Sequence, residues 1–274
     1  MKKHGFAKTL ALLSAICITG CSFAACSSGN DESGEGLSKR NFVEESEQLT
    51  YQVYFEEFDT EINMAYRLFV PQEESPKEPY PVLLFLHGSG ERGEDNERQV
   101  KTNMDILYRL TEDEELYKKY PCIIIAPQCP DQFSWSDNIL DSTVKLVEEV
   151  QEKYNADKER LYVMGISMGG FGTWELLKRY PEKIAAAVPI CGGGDPEAVE
   201  NFKDVPIWAF HGDRDFSVDV QYSRDMADAL DEAGNDVIKH KYTEYPLTDH
   251  GGSWHRAYLE PELLSWIFSQ RGNP

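Results

Sequence analysis

From residue 71 onward, short runs of apolar residues alternate with longer stretches in which apolar positions recur every three or four residues. The short runs read as strands buried on both faces and the longer stretches as helices with one buried stripe. Their alternation is the signature of βαβ units around a parallel sheet. Strands are predicted at 82–86, 122–126, 161–165, 184–190, 207–211 and 239–245, and helices at 99–110, 139–154, 168–179, 223–233 and 260–269. Upstream, 50–58 and 62–70 alternate with period two and are rich in β-branched and aromatic residues, which predicts an antiparallel hairpin at a sheet edge.

The first 48 residues lack this pattern. Lys2, Lys3 and Lys8 precede a mostly apolar stretch over 9–20 that is too short to cross a bilayer core of ~30 Å, so 1–20 is expected to be a secretory signal. Ile18-Thr19-Gly20-Cys21 resembles the lipobox of bacterial lipoproteins, in which the cysteine is lipidated. That resemblance implies a membrane anchor at Cys21, outside the cytoplasm. Cys26, after Phe23-Ala24-Ala25, is a second candidate, and a plain secretory signal is the other reading. Residues 21–48, polar and rich in Ser, Gly and Glu from 27 on, are expected to form a flexible tether, with one folded domain over 49–274.

The chain is 41% hydrophobic, enough for one sizeable core, and its net charge of −21 is offset by no Lys/Arg cluster, which excludes a nucleic-acid partner. Cys122 and Cys191 end or enter apolar runs and read as small buried hydrophobes. There is no C-x-x-C and no His–Cys spacing of a metal site, so no metal or cofactor is expected.

Chemistry enters at Gly165-Ile166-Ser167-Met168-Gly169-Gly170, a G-x-S-x-G sequence between a predicted strand and a predicted helix. A serine there sits on a sharp turn that needs small neighbours and exposes its hydroxyl at a helix N-terminus. Ser167 as nucleophile requires a base oriented by a carboxylate. Asp213 and Asp215 follow the strand that ends at His211, and Asp215 is the candidate orienting group. His250 and His255 follow the last strand; His250, nearer its end, is the first candidate base. The oxyanion of a tetrahedral intermediate needs amide donors. Met168 supplies one, and Ser89, in the Gly-rich stretch after the first parallel strand, is the candidate for the other. His87 reads as a brace of that stretch.

These pieces, HGSGERG at His87, APQCP at Ala126, GISMGG at Gly165, HGDRD at His211 and DHGGSW at Asp249, resemble those of α/β-hydrolases. They are similar to compact bacterial carboxylesterases, predicted peptidases, and polyhydroxybutyrate-depolymerase-like and feruloyl esterases. The resemblance spans 49–274 and implies a triad of Ser167, Asp215 and His250. The stretch after His250 is one residue longer than the usual His-x-Ser-Trp, and Asp219 stands where a proline often follows the valine, so His255 stays open as the base.

Only 191–205 separates two strands between which many α/β-hydrolases insert a lid, so no lid domain is expected and the cleft should be open. Trp135 and Trp254 are candidates for an aromatic wall around a sugar or phenolic acyl group. The expected substrate is an ester, with acetyl or feruloyl groups on a plant polysaccharide implied by the resemblance. A prolyl-oligopeptidase-type peptidase and a non-catalytic binding protein on the same fold are the alternatives.

Overall fold

The computed structural model describes residues 42–55, 60–71, 78–234 and 240–272. Eight strands form one sheet: β1 (Glu47–Phe55), β2 (Thr60–Phe69), β3 (Val82–Leu86), β4 (Ile123–Pro127), β5 (Leu161–Ile166), β6 (Ala186–Ile190), β7 (Ile207–Gly212) and β8 (His240–Tyr245). Their order is β1-β2-β4-β3-β5-β6-β7-β8. β1 pairs antiparallel with β2, and β2 antiparallel with β4, whereas β3 to β8 pair parallel with one another. This is an α/β-hydrolase sheet with the hairpin at its edge, as the alternating pattern predicts.

The central strands are apolar throughout because both of their faces are covered. Val82, Leu84 and Leu86 of β3, with Ile123 and Ile125 of β4, point into one core, while Leu83 and Phe85, with Ile124 and Ala126, point into the other. The first core is covered by residues of α5 (Asp137–Lys153), α6 (Met168–Arg179) and α7 (Gln221–Glu232), such as Leu140, Trp174 and Met226. The second is covered by α3 (Asp105–Glu112), α8 (His250–Tyr258) and α9 (Leu263–Phe268), through Leu107, Tyr258 and Ile267. Each strand is buried on two sides and therefore presents only its ends for chemistry.

Four differences from the sequence reading have local causes. The helix expected over 99–110 is two, α2 (Arg98–Lys101) and α3, because Asn103 takes a left-handed φ of +57° between them. Residues 113–119 contain α4 (Glu114–Lys119), capped by the Asp113 carboxylate, which accepts from the amides of Glu115 and Leu116. The last helix begins at Leu263 rather than at 260, after a turn in which the Leu263 amide donates to the Glu260 carbonyl at 3.1 Å. The tether reading of 21–48 falls outside the described residues up to 41 but ends early. Phe42 opens α1 (Phe42–Glu45), is fully buried, and packs edge-on to Tyr108 and against Phe69, and β1 starts at Glu47. The folded unit thus begins by Phe42, not at 49. Cys21 and Cys26 lie outside the described residues.

Candidate active site

The site lies at the carboxyl ends of the parallel strands, where loops leave the sheet. Ser167 follows β5 directly and has φ +53° and ψ −116°, a backbone conformation that costs a non-glycine residue roughly 1–3 kcal/mol. The turn is held there by two hydrogen bonds. The Ser167 amide donates to the Ile190 carbonyl at 2.9 Å, and its carbonyl accepts from the Phe171 amide at 3.1 Å. Gly165 is required on the way in, because a Cβ at that position would stand 2.1 Å from the Gly169 carbonyl oxygen.

Two further loops bring the partners. His250 is the first residue of α8, whose N-cap Asp249 accepts from the Gly252 amide at 2.8 Å. Residues 248–255, which follow the last predicted strand, are helical from His250 on; the cap offsets the poor helix propensity of Gly251 and Gly252. The His250 Nε2 lies 2.9 Å from the Ser167 Oγ, and its Nδ1 lies 2.5 Å from the Asp215 Oδ2. The other oxygen of Asp215 accepts from the amides of Ser217 at 2.8 Å and Val218 at 2.9 Å. Burial pushes this carboxyl up, but the Val218 amide, the His250 ring and the Ser217 amide outweigh it and hold it below its ordinary range. Asp213 faces elsewhere: its Oδ1 accepts from the Thr248 amide. His255 sits half-exposed on another face of α8, with its Nδ1 3.0 Å from the Asp105 Oδ2. Replacing His255 with alanine is therefore expected to leave any turnover that depends on Ser167 within about twofold, whereas His250→Ala should abolish it; steady-state rates on one synthetic ester decide.

The loop after β3 is fixed carbonyl by carbonyl. The His87 carbonyl accepts from the Trp135 indole at 2.9 Å, that of Gly88 from His87 Nδ1 at 2.6 Å, that of Ser89 from Arg92 Nε at 3.1 Å, and that of Glu91 from Gln128 Nε2 at 3.1 Å. The loop passes close to the serine, since a Cβ on Gly88 would lie 3.6 Å from the Ser167 Cβ. Ser89 is exposed and opens a one-turn 3-10 helix, and Met168 opens α6; first-turn amides have no intrahelical acceptor, so both are available to an oxyanion. His87 is the brace that the sequence suggests. Its Nε2 accepts from the Cys129 amide at 2.9 Å, so the proton is on Nδ1, and burial lowers its pKa to about 4. Between about pH 6.5 and 4 the unfolded chain binds a proton there that the folded chain does not, so stability falls as pH falls. Urea unfolding is expected to show a loss of about 2 kcal/mol between about pH 7 and pH 5; a flat profile would contradict a neutral buried ring.

The two tryptophans are not a wall open to ligand. Trp135 is 3% exposed, packs edge-on to His87 and belongs to the first core, so it supports the loop from below. Trp254 is buried in the second core with its ring 5.1 Å from that of His250, edge to face, where it backs the imidazole.

Residues 119–253 match the dienelactone hydrolase family. The match covers just under half of the chain, from α4 to α8. Among solved structures, the chain is similar to a thermostable esterase, at 37% identity and a TM-score of 0.75, covering 84% of this chain and 64% of that one. It shares its fold, at 14% identity and a TM-score of 0.62, with the feruloyl esterase module from Clostridium thermocellum solved with sinapinate, over 84% of this chain and 90% of that one. A bifunctional acetylxylan esterase/xylanase, XynS20E of Neocallimastix patriciarum, is 28% identical over 154 residues, which are 56% of this chain and 22% of that protein. The chain thus matches about a fifth of the length of the curated relatives.

Two buried polar groups near the site, Glu91 and His211, escaped the sequence reading, and Cys191, read as buried, proves to lie beside the site. Glu91 has its Oε1 2.8 Å from the Asn103 amide nitrogen, and burial raises its pKa. The Cys191 thiol lies within 4.8 Å of the nearest ligand atoms of Asp215 and His250. Burial pushes that thiol up, which keeps it protonated, and the Asp215 oxygens already accept N–H donors, so the trio does not suit a cation. His211 touches Asp215. None carries a periodic signal. Only the position of His211 at the strand end, inside HGDRD, marks it.

Proposed function

We propose that this protein hydrolyses carboxylic esters through an acyl-enzyme on Ser167. The carrying observation is the row from the Ser167 Oγ to the His250 Nε2 at 2.9 Å and from the His250 Nδ1 to the Asp215 Oδ2 at 2.5 Å, at the mouth of an α/β-hydrolase sheet. His250 takes the serine proton as Oγ attacks the ester carbonyl, and the amides of Met168 and Ser89 receive the oxyanion. His250 then protonates the leaving alcohol, and water, activated by the same ring, releases the acid. Asp215 stays ionised throughout and holds the ring with Nδ1 protonated.

The surface around the site supports a ring-bearing or apolar substrate. Five large hydrophobic side chains are exposed among the described residues; three lie within four residues of Ser167, Asp215 or His250, and a fourth, Tyr222, packs on one of these three. Phe216, 94% exposed, follows Asp215, and Leu247, 70% exposed, precedes His250 by three residues. Phe171 lies one helical turn after Ser167 and packs edge to face on Tyr222 at 5.6 Å. Exposed apolar side chains so close to these residues suit the uncharged face of a sugar or an aryl ring, and the net charge of −21 disfavours polyanionic chains. Acyl decorations on a neutral polysaccharide, of the kind named for the acetylxylan esterase relative, are therefore the proposed substrates. Purified protein is expected to release acetate from acetylated xylan, or ferulate from feruloylated arabinoxylan, and to hydrolyse p-nitrophenyl acetate. Cleavage of aminoacyl anilides alone would instead establish a peptidase, and no turnover or fluorophosphonate labelling a binding protein.

Lipid anchoring at Cys21, facing out of the cytoplasm, is proposed from the lipobox resemblance. Cys21→Ser is expected to release the protein from the membrane fraction; retention would move the anchor to Cys26 or remove it.

A further inference from the structure

Asp215 carries two histidines. Besides His250, its Oδ2 has the His211 Nε2 at 3.1 Å, and the same nitrogen lies 3.1 Å from the Val218 carbonyl oxygen. The far ring nitrogen, Nδ1, is 2.8 Å from the Ser223 Oγ, which is itself 2.8 Å from the Gly192 carbonyl oxygen. The chain of contacts therefore runs Ser223–His211–Asp215–His250–Ser167, drawn from the start of α7, the end of β7, the loop after it, α8 and the end of β5.

The protons on this chain can be counted. A carboxylate and a carbonyl only accept, so the His211 Nε2 must carry a hydrogen. On the other side, Ser223 has one hydroxyl proton and two neighbours that could receive it. If the His211 ring is neutral, that proton goes to Nδ1. If the ring is cationic, Nδ1 donates to Ser223 and the hydroxyl turns to Gly192. The ring is completely buried, and desolvation favours the neutral form, lowering its pKa despite the neighbouring Asp215 carboxylate. The other ionisable groups around it are His250 on α8, Glu244 opposite it on β8, which is paired with Arg224 of α7 at 2.7 Å, and Cys191, near Asp215 at the end of β6. None takes the place of the Nε2–H at Oδ2.

We propose that His211 is a positioning residue: as a neutral ring protonated on Nε2, it donates to the oxygen of Asp215 that faces His250 and so sets how strongly that carboxylate holds a proton on His250. A carboxylate oxygen that accepts a second hydrogen bond has less charge to offer the first donor. Removing the second donor should strengthen the hold on protonated His250, which delays release of the free base as pH rises. The inference rests on the triad reading of Ser167, His250 and Asp215.

The test is the pH profile of kcat/KM, whose acidic limb reports the free enzyme's base. His211→Leu is expected to move that limb to higher pH by about one unit. His211→Gln, whose amide nitrogen can stand in for Nε2, should bring it back to within a few tenths of wild type. A limb unmoved in folded His211→Leu, with only the rate reduced, would show a purely structural role and overturn the proposal. Should His211→Leu fail to fold, ring-nitrogen NMR of the wild-type protein decides. The expected pattern is a neutral, Nε2-protonated His211 whose Nε2 shift moves as His250 titrates; an Nδ1-protonated or cationic ring, or a shift blind to His250, would overturn it. If Ser167→Ala retained activity, the triad reading would fail on its own, while the NMR result would still report the tautomer.

Discussion

Ser167→Ala is expected to lower kcat/KM on any ester the protein accepts by a factor on the order of 10⁵ or more, and to abolish fluorophosphonate labelling. The size follows from what is lost and what stays. Alanine keeps the turn at φ +53° with a backbone cost close to that of serine, and the Ile190 and Phe171 hydrogen bonds involve only main-chain atoms of residue 167. The Met168 and Ser89 amides remain in place, so residual acceleration over water of roughly 10³ to 10⁴ can persist without any nucleophile. The one interaction removed is the 2.9 Å contact to His250, at a partly exposed position, so thermal stability should change by less than about 1 kcal/mol. Rate, labelling and melting temperature measured on the same preparation separate the roles. A variant that melts like wild type and still turns over at a few per cent would place the nucleophile elsewhere.

Much of this geometry is readable before folding because it rests on local rules. The apolar runs at 82–86 and 161–166 are strands, since a parallel sheet covered on both faces leaves them no polar positions, and α6 starts and stops where its periodicity does. The order of Ser167, Asp215 and His250 along the chain is readable for the same reason: each follows a strand end. What stayed hidden depends on tertiary partners. The place of β4 between β2 and β3 is not encoded in its own Ile-Ile-Ile run. Gly251 and Gly252 argue for a loop until Asp249 is seen capping the helix. Trp135 looks like a ligand platform beside polar Ser134 and Ser136, yet its indole is used by the His87 carbonyl. Phe42 lies among charged residues and is claimed for the core only by Phe69 and Tyr108, which are distant in sequence. His211 and His255 are equivalent as letters, and only coordinates show that one shares the carboxylate of the triad while the other meets Asp105.

Gly169→Ala is the second large effect, and it acts on stability and rate together. A Cβ at residue 169 would lie 2.0 Å from the Leu86 carbonyl oxygen, 2.5 Å from its carbon and 2.8 Å from the His87 carbonyl oxygen. All three are main-chain atoms, so no side-chain rotation relieves the clash. Leu86 is the last residue of β3, a central strand paired with β4 and β5, and His87 begins the loop that is anchored by Trp135, Gln128 and Arg92. Relief requires α6 to move away from the sheet or the loop to shift outward. The first displaces Met168, the second Ser89, and each carries an amide meant for the oxyanion. A destabilisation of about 3 kcal/mol or more is expected from overpacking against fixed backbone, with a loss in kcat of about 10² to 10³ from a misplaced donor. Gly90→Ala, where a Cβ meets nothing within 4 Å, is the stability control and should stay within about 0.5 kcal/mol of wild type. Equal melting temperatures for the two variants would mean that helix and strand are not in the close contact from which this site is built.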